Sequence, residues 1–191
     1  MQGNSLTDIH HATPEWLTNV LADSGRLTKG QVLSVSPEKG TSPHSTNARL
    51  LISYSEVSAG ECPESLFLKI SRSVAEFGTS ELEYYSKIAA QMTDPPIPTC
   101  YHADFSREVG AYHLLMQDLS ASHEARWKGD PSLESATSAM DALAHLHAHW
   151  WNHPHLEQYV GSFPTRSTIE KYIAPAREGL APFLEIGRAH V

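Results

Sequence analysis

Apolar and polar residues alternate in three runs of the first half of the chain, and a period of two is typical of β-strands. The runs are QVLSVS (31–36), TNARLLISYSE (46–56) and SLFLKIS (65–71). Short polar segments that contain Gly, Pro and Ser separate them, which favours tight antiparallel connections. Two later runs, CYHADFS (100–106) and AYHLLMQDL (111–119), flank Gly110 and predict a hairpin. We therefore expect an antiparallel sheet of about five strands.

Two helices are predicted before residue 100. Thr13 can cap the first helix, Pro14 fits its first position, and Gly25 ends it. The second spans about 78–92, where apolar residues are spaced by three and four. It ends at the segment DPPIP, because two adjacent prolines cannot continue a helix. A helix inserted after the third of about five strands gives the α+β fold class.

Two more helices are predicted after residue 120, where the composition changes from strand-rich to helix-rich. One spans 132–151, and the other begins near Ser167, with Glu170 as its capping-box partner, and runs toward Leu184. We expect an exposed apolar patch on the first of these helices. Its residues are Leu143, Leu146, Trp150 and Trp151. The change in composition predicts a domain boundary between segments 28–119 and 120–184, after a leading segment 1–27.

Charge and composition exclude several classes of protein. The 191 residues carry 14 Lys and Arg against 22 Asp and Glu, a net charge of −8, which argues against nucleic-acid and membrane partners. No apolar run approaches the roughly 20 residues of a membrane helix. Two cysteines, Cys62 and Cys100, cannot form a disulfide framework, so a cytoplasmic location is expected. Twelve histidines are unusually many.

Lys69 stands in the middle of the third strand run, among apolar residues. Phe67 shares its face of the strand, whereas Leu66 and Leu68 lie on the other. An ammonium group in such a strand is costly to bury unless a carboxylate or a phosphate receives it. The alternative is a lysine on the solvated side of an edge strand, with its aliphatic stem over apolar surface.

Two glutamates open the second predicted helix, and only one of them is expected to point inward. Glu81 lies four residues before Tyr85 and continues the apolar stripe of the helix. Glu83 lies off the stripe and is placed to pair with Lys87 on the solvated side. A third-strand lysine held by a glutamate of the following helix is the phosphate-anchoring pair of kinases. The alternative for Glu81 is a structural role in a first helical turn.

The run HLLMQDL (113–119) is an apolar strand that ends in a polar pair before a helical region. This pattern predicts a hinge in which backbone groups of Gln117 and Leu119 can pair with the edge of an adenine. Asp118 alone indicates little, since Asp is common at strand ends and helix caps.

The order of these landmarks resembles the aminoglycoside phosphotransferase and choline-kinase-like family, especially its small-molecule phosphotransferase and ecdysteroid-kinase-like branch. The landmarks span roughly residues 14–184, and they are FLKIS, ELEYY, PIPTCYHAD, LLMQDL and LAHLHAHWW. The resemblance implies a protein-kinase-like fold with two lobes. Segment 28–119 would be the nucleotide lobe, and 120–184 the first helices of an incomplete substrate lobe.

The resemblance also implies a role for each matching position. Lys69 would contact the α- and β-phosphates of ATP, Glu81 would hold Lys69, and Gln117 to Leu119 would form the hinge. The loop EKGTSPHST (38–46) occupies the position of the phosphate loop, although it departs from G-x-G-x-x-G. Its candidate phosphate-binding residues are Gly40, Ser42 and Ser45.

Phosphoryl transfer also needs a base and ligands for Mg²⁺. In this family they come from an H-G-D-x-x-x-x-N loop and from a later aspartate within the pattern (I/L)-D-(W/F/L). The chain contains neither pattern. We therefore expect an inactive piece of a longer kinase, without catalytic residues or metal ligands, and with the Mg²⁺ site in a missing C-terminal part. The last residues, EIGRAHV (185–191), resemble a translated sequencing adapter, so a non-native tail without function is expected.

The expected activity is ATP-dependent phosphorylation of a small hydroxylated acceptor, whose identity the sequence leaves open. One alternative is a non-catalytic nucleotide-binding or scaffold protein of the same fold. Another is a His-rich metal-binding module, because Asp141, His145 and His149 share one face of helix 132–151.

Overall fold

The computed structural model describes residues 5–42, 45–71, 78–123, 130, 132–159 and 165–189. Seven β-strands lie in this part of the chain. They are β1 (Leu27–Lys29), β2 (Val32–Lys39), β3 (Ser45–Tyr54), β4 (Ala59–Gly60), β5 (Ser65–Ser71), β6 (Cys100–Ser106) and β7 (Ala111–Gln117). The α-helices are α1 (Pro14–Asp23), α2 (Ser80–Glu83), α3 (Leu133–Trp150), α4 (Leu156–Tyr159) and α5 (Arg166–Ala189).

Five strands form one antiparallel sheet in the order β2-β3-β5-β7-β6. The predicted α+β class, the meander of the first three long strands and the hairpin β6–β7 are confirmed. Strands β1 and β4 form a small second sheet that the sequence pattern did not predict. Its β4 has only two residues, too few to show a period.

Helix α1 starts and ends as its sequence predicts. The Trp16 N–H donates to Thr13 Oγ1 at 3.2 Å, which caps the helix, and Pro14 takes the first helical position. Gly25 follows the helix with a φ of 71°, a conformation that glycine adopts without a steric penalty. One face of α1 is buried against the sheet, through Leu17, Val20 and Leu21.

Strand alternation gives the sheet two different faces. Leu66, Leu68 and Ile70 of β5 join the main hydrophobic core, to which α1 and the N-terminal residues Leu6 and Ile9 also contribute. The opposite face carries a smaller apolar cluster. Its members include Phe67, Leu82, Tyr85, Cys100, Phe105, Tyr112, Leu114 and Met116. Lys69 belongs to this second face, because it alternates with the buried leucines of β5.

The predicted helix 78–92 is irregular. It begins as α2, continues as a π-helical turn over Tyr84–Ile88, and ends as a 3₁₀ turn over Ala89–Gln91. Thr79 precedes α2 but makes no side-chain capping bond. Single π-helical turns within helices are frequent at functional sites.

Helix α3 confirms the predicted helix 132–151, but the predicted apolar patch on it is only partly correct. Leu143 and Trp151 are exposed as expected. Trp150 is buried, and Leu146 is half-buried.

The prediction for the last helix also needs correction. The predicted start is confirmed, since helix α5 begins at Arg166, next to Ser167, but the helix extends past Leu184 to Ala189. Glu170 makes no capping box, since its Oε1 accepts from Arg166 Nε at 2.9 Å.

The chain divides into two compact units, Met1–His153 and Pro154–Val191. The first contains both sheets and α3, and the second contains α4 and α5. The boundary predicted near residue 120 lies within the first unit. In the part of the chain that the structure describes, no helix is long and apolar enough to cross a membrane.

Candidate functional site

Lys69 lies on β5, the central strand of the five-stranded sheet. The alternative of a lysine on a solvated edge strand is therefore wrong. Leu114 of β7 and Asn47 of β3 are its neighbours in register on either side. About a quarter of the Lys69 side chain, 27%, is accessible to solvent.

Both carboxylate oxygens of Glu81 receive the Lys69 ammonium. The distances from Nζ are 2.7 Å to Oε1 and 2.6 Å to Oε2. Helix α2 carries Glu81 over the sheet face on which Lys69 lies, and Leu82 of the same turn packs into the apolar cluster of that face. The predicted ion pair is thus present. One N–H of the ammonium makes no hydrogen bond to a described residue and is available to a ligand.

Glu83 takes the role predicted for it on the outer side of the helix. Its Oε1 lies 3.6 Å from Lys87 Nζ and 3.3 Å from Thr79 Oγ1. The exposed fractions of the two glutamate side chains differ only modestly, 34% for Glu81 and 43% for Glu83. Their partners, more than their burial, distinguish them.

Tyr112 is a third member of the cluster, and the sequence interpretation did not include it. Its hydroxyl donates to Glu81 Oε2 at 3.0 Å. Burial, together with the nearby charge of Glu81, raises the pKa of Tyr112 to about 12, so the hydroxyl keeps its proton. The strand period places Tyr112 and Leu114 on one face of β7, but only the pairing of β5 with β7 shows that this face adjoins Lys69.

Asp118 forms a second polar cluster at the end of β7 on the same face. Arg49 Nε and Ser65 Oγ each donate to its Oδ2 at 2.6 Å. The Ser120 N–H donates to Oδ1 at 3.0 Å, and the Ser120 hydroxyl also donates there. Burial alone would raise the pKa of Asp118, but the hydrogen bonds from Ser120, Ser65 and Arg49 outweigh it and hold the pKa well below its usual range. The sequence interpretation, which gave Asp118 little weight, missed this cluster.

These contacts decide which groups of the predicted hinge are free. The Gln117 N–H donates to the Thr99 carbonyl at 2.8 Å, so it is not available to an adenine. The Leu119 carbonyl accepts from the N–H groups of Ser122 and His123. The Leu119 N–H makes no hydrogen bond to any described residue. Of these three backbone groups, the Leu119 N–H is the one that remains open to an adenine.

The predicted phosphate loop lies next to Lys69 in the sheet. Asn47, the register neighbour of Lys69, accepts the Gly40 N–H on its carbonyl at 2.9 Å and the Ser45 hydroxyl on its Oδ1 at 2.8 Å. Ser45 and Ser42 share a hydroxyl hydrogen bond of 3.0 Å. The structure thus brings Gly40, Ser42 and Ser45 together around Asn47, the register neighbour of Lys69. The loop residues 43–44 lie outside the described part.

The proposed metal site on α3 is not formed. Among the described residues, no group of three or more His, Cys, Asp and Glu side chains could hold a metal ion. His149 instead stacks on His153, with ring centroids 5.4 Å apart. The described residues offer no such group for Mg²⁺ either.

Two other histidines, the buried His113 and the half-buried His102, form a pair on the opposite face of the sheet. His113 Nδ1 accepts the Leu6 N–H at 3.0 Å, so its proton lies on Nε2, which donates to His102 Nδ1 at 2.8 Å. Trp16 contacts both rings edge-on. Burial, and then the neighbouring His102, lower the pKa of His113 to about 3. This pair is structural, since it fills the core under α1.

Comparisons of the chain with protein-family models, with curated proteins and with solved structures give no significant match. Its function is therefore inferred from the arrangement of its own residues.

Proposed function

We propose that this chain binds ATP through the Lys69–Glu81 pair and is the nucleotide-binding part of a small-molecule kinase. The observation that carries the proposal is the contact of the Lys69 ammonium with both oxygens of Glu81, on the face of a central strand. An ion pair that is still about a third exposed to solvent contributes little to stability, which favours a functional reason for its place in an apolar strand.

The surroundings of Lys69 suit a phosphate. Its ammonium keeps one N–H for a ligand, and the loop with Gly40, Ser42 and Ser45 lies beside it through Asn47. Hydroxyl groups and backbone N–H groups of such a loop are suitable donors to phosphate oxygens. Lys69 would then bind the α- and β-phosphates, as the resemblance to the phosphotransferase family implies.

The adenine base of the nucleotide would lie on the same face of the sheet, toward the Ser65 end of β5. The open N–H of Leu119 would donate to the edge of the adenine. An open cleft of about 440 Å³ lies at this end of β3 and β5. Its lining includes Arg49, Leu51 and Ser65 and no residue of the predicted hinge. Lys69 and Ser65 are four residues apart on β5, about 13 Å, which is long enough to separate a base from its phosphates.

The protein-kinase-like fold belongs to the same proposal. An antiparallel five-stranded sheet with a helix between its third and fourth long strands is the arrangement that this fold requires of a nucleotide lobe. Two free thiols, Cys62 and Cys100, agree with a cytoplasmic protein.

Binding and transfer are separate parts of the proposal. The chain has no H-G-D-x-x-x-x-N string to supply a base, and its described residues contain no metal cluster. We therefore assign ATP binding to this chain. Neither transfer to a hydroxylated acceptor nor a step through Mg²⁺ is assigned to residues of this chain.

Calorimetric titration of the chain with ATP tests the binding. Lys69→Met removes the ammonium and keeps a flexible side chain of similar length, and it should weaken ATP binding about tenfold or more. Lys87→Met is the matched control, because Lys87 pairs with Glu83 on the outer side. Tripolyphosphate should show the same dependence on Lys69. Equal ATP affinities of the wild type and Lys69→Met would contradict the proposal.

An ADP-release assay with a panel of alcohols separates the kinase from the non-catalytic alternative. The chain alone should release no acceptor-dependent ADP, because it lacks a base. A longer reading frame with the H-G-D-x-x-x-x-N loop should release it. ATP binding without release in that longer protein would favour a scaffold role. If the chain alone released acceptor-dependent ADP, and Lys69→Met abolished that release, the conclusion that this chain lacks a catalytic base would be wrong.

A further inference from the structure

The Lys69–Glu81 pair consists of two flexible side chains that are both accessible to water. Water screens part of the attraction in such a pair, and holding two long side chains in one geometry costs entropy, so a further contact that fixes one partner helps to order both. The helical element under Glu81 adds little order of its own. Helix α2 has four residues, no side-chain cap, and a π-helical turn directly after it.

Tyr112, by contrast, is held firmly. The residue is only 5% exposed, and it belongs to the apolar cluster with Phe105 and Met116. Its backbone N–H donates to Ser71 Oγ at 2.8 Å, at the end of the same strand that carries Lys69. A tyrosine has few rotatable bonds, and here packing fixes them, so the position of its hydroxyl is determined by the sheet.

We propose that Tyr112 is a positioning residue for the phosphate-anchoring pair, whose hydroxyl fixes the Glu81 carboxylate and thereby holds the Lys69 ammonium toward the nucleotide phosphates. The contact is the hydrogen bond of 3.0 Å to Glu81 Oε2, the oxygen that also receives Lys69 at 2.6 Å. Through this bond, the packed strand β7 orders both the short helix α2 and the lysine on β5. The inference rests on the proposed nucleotide binding.

Tyr112→Phe tests the role, because it removes only the hydroxyl and leaves the ring in the cluster. Tyr54→Phe is the matched control, since the Tyr54 hydroxyl donates to the Pro63 carbonyl at 2.9 Å, away from Lys69. NMR relaxation of the Lys69 Nζ, assigned by loss of the signal in Lys69→Met, reports the order of the ammonium without any ligand. The order parameter should fall in Tyr112→Phe and stay unchanged in Tyr54→Phe. An unchanged value in Tyr112→Phe overturns the proposal.

The effect of Tyr112→Phe on ATP affinity, measured with and without Lys69, distinguishes positioning of the lysine from a purely structural role of Tyr112. Tyr112→Phe should weaken ATP binding about fivefold in the wild type and should have no further effect in Lys69→Met, because it acts through the lysine. Equal losses in both backgrounds overturn the role. If the wild-type chain binds no ATP, the proposed function fails, and the order parameter of Lys69 still decides whether Tyr112 orders the pair.

Discussion

Arg49 of β3 donates from Nε to Asp118 Oδ2 at 2.6 Å, although the two residues are 69 positions apart in the chain. The bond connects the second strand of the sheet to the residue that follows β7. Because Ser65 of β5 donates to the same oxygen, three segments converge on one carboxylate whose side chain is only 4% exposed. This cluster holds the start of the predicted hinge against the sheet.

Asp118→Asn should destabilise the fold by about 2 kcal/mol. The variant removes the charge that receives Arg49 and leaves an amide with only one acceptor oxygen among several donors. Urea unfolding at neutral pH measures the change. Glu38→Gln is the control, because Glu38 contacts the same arginine at 3.6 Å but is mostly exposed, and it should change little. Equal destabilisation by both variants would show that Asp118 is not the anchor.

The stability of the fold should decrease in mild acid through His113. Its pKa is about 3 in the folded chain and about 6.5 in the unfolded chain, so the unfolded chain binds the extra proton between these values. The free energy of unfolding is therefore largest above pH 6.5 and falls by up to roughly 1.4 kcal/mol per pH unit below it. Burial also lowers the pKa of His102, although the charges of Asp104 and Asp23 partly oppose it. His102 therefore adds to the fall in the free energy of unfolding.

Denaturant unfolding between pH 7.5 and 5 measures this slope. In His113→Gln the side chain no longer titrates, so the free energy of unfolding should fall less steeply with decreasing pH than in the wild type. This comparison of slopes holds even if the variant is less stable than the wild type at pH 7.5. His10→Gln, the same substitution at an exposed position of the N-terminal turn, is the control for the change of side chain. A wild-type slope in His113→Gln would remove His113 from the acid response.

The small sheet β1–β4 depends on a glycine. Gly60 has a φ of 121°, and a Cβ at this position would lie 2.0 Å from the Arg26 carbonyl oxygen. Gly60→Ala should therefore destabilise the fold by about 2 kcal/mol or more, through both strain and displacement of the paired strand. At Gly25, with a φ of 71° and no atom within 4 Å of a Cβ, alanine should cost only about 1 kcal/mol. Thermal unfolding of the two variants compares them.

Local sequence signals predicted most of the fold correctly. The alternation in SLFLKIS placed Lys69 opposite Leu66 and Leu68, and the spacing of Glu81 from Tyr85 identified the inward glutamate. Both signals are local, because a strand or a helix repeats its environment over a few residues. What they missed depends on pairing between distant segments. Neither the contact of Arg49 with Asp118 nor that of Tyr112 with Glu81 follows from residues close in sequence.

Errors in the helices have physical causes of the same kind. Trp150 was expected on an exposed patch, but the helical spacing of α3 cannot show which apolar residues a neighbouring segment covers. The π-helical turn after α2 also leaves no mark in the spacing of Glu81 and Tyr85, which is compatible with an ordinary helix. Hydrogen-bond geometry within one turn is decided by how that turn packs on the sheet.

Glu81 and Glu83 provide the sharpest test of the proposed site, because they are two residues apart on one turn and differ in their partners. Glu81→Gln removes the charge that receives Lys69 on two oxygens, so it should weaken ATP binding about tenfold. Glu83→Gln removes only the exposed contact with Lys87 at 3.6 Å and should change the affinity less than about twofold. Calorimetry of both variants under identical salt gives the comparison. A larger effect of Glu83→Gln would mean that the helix presents its other face to the nucleotide, and the site as described would be wrong.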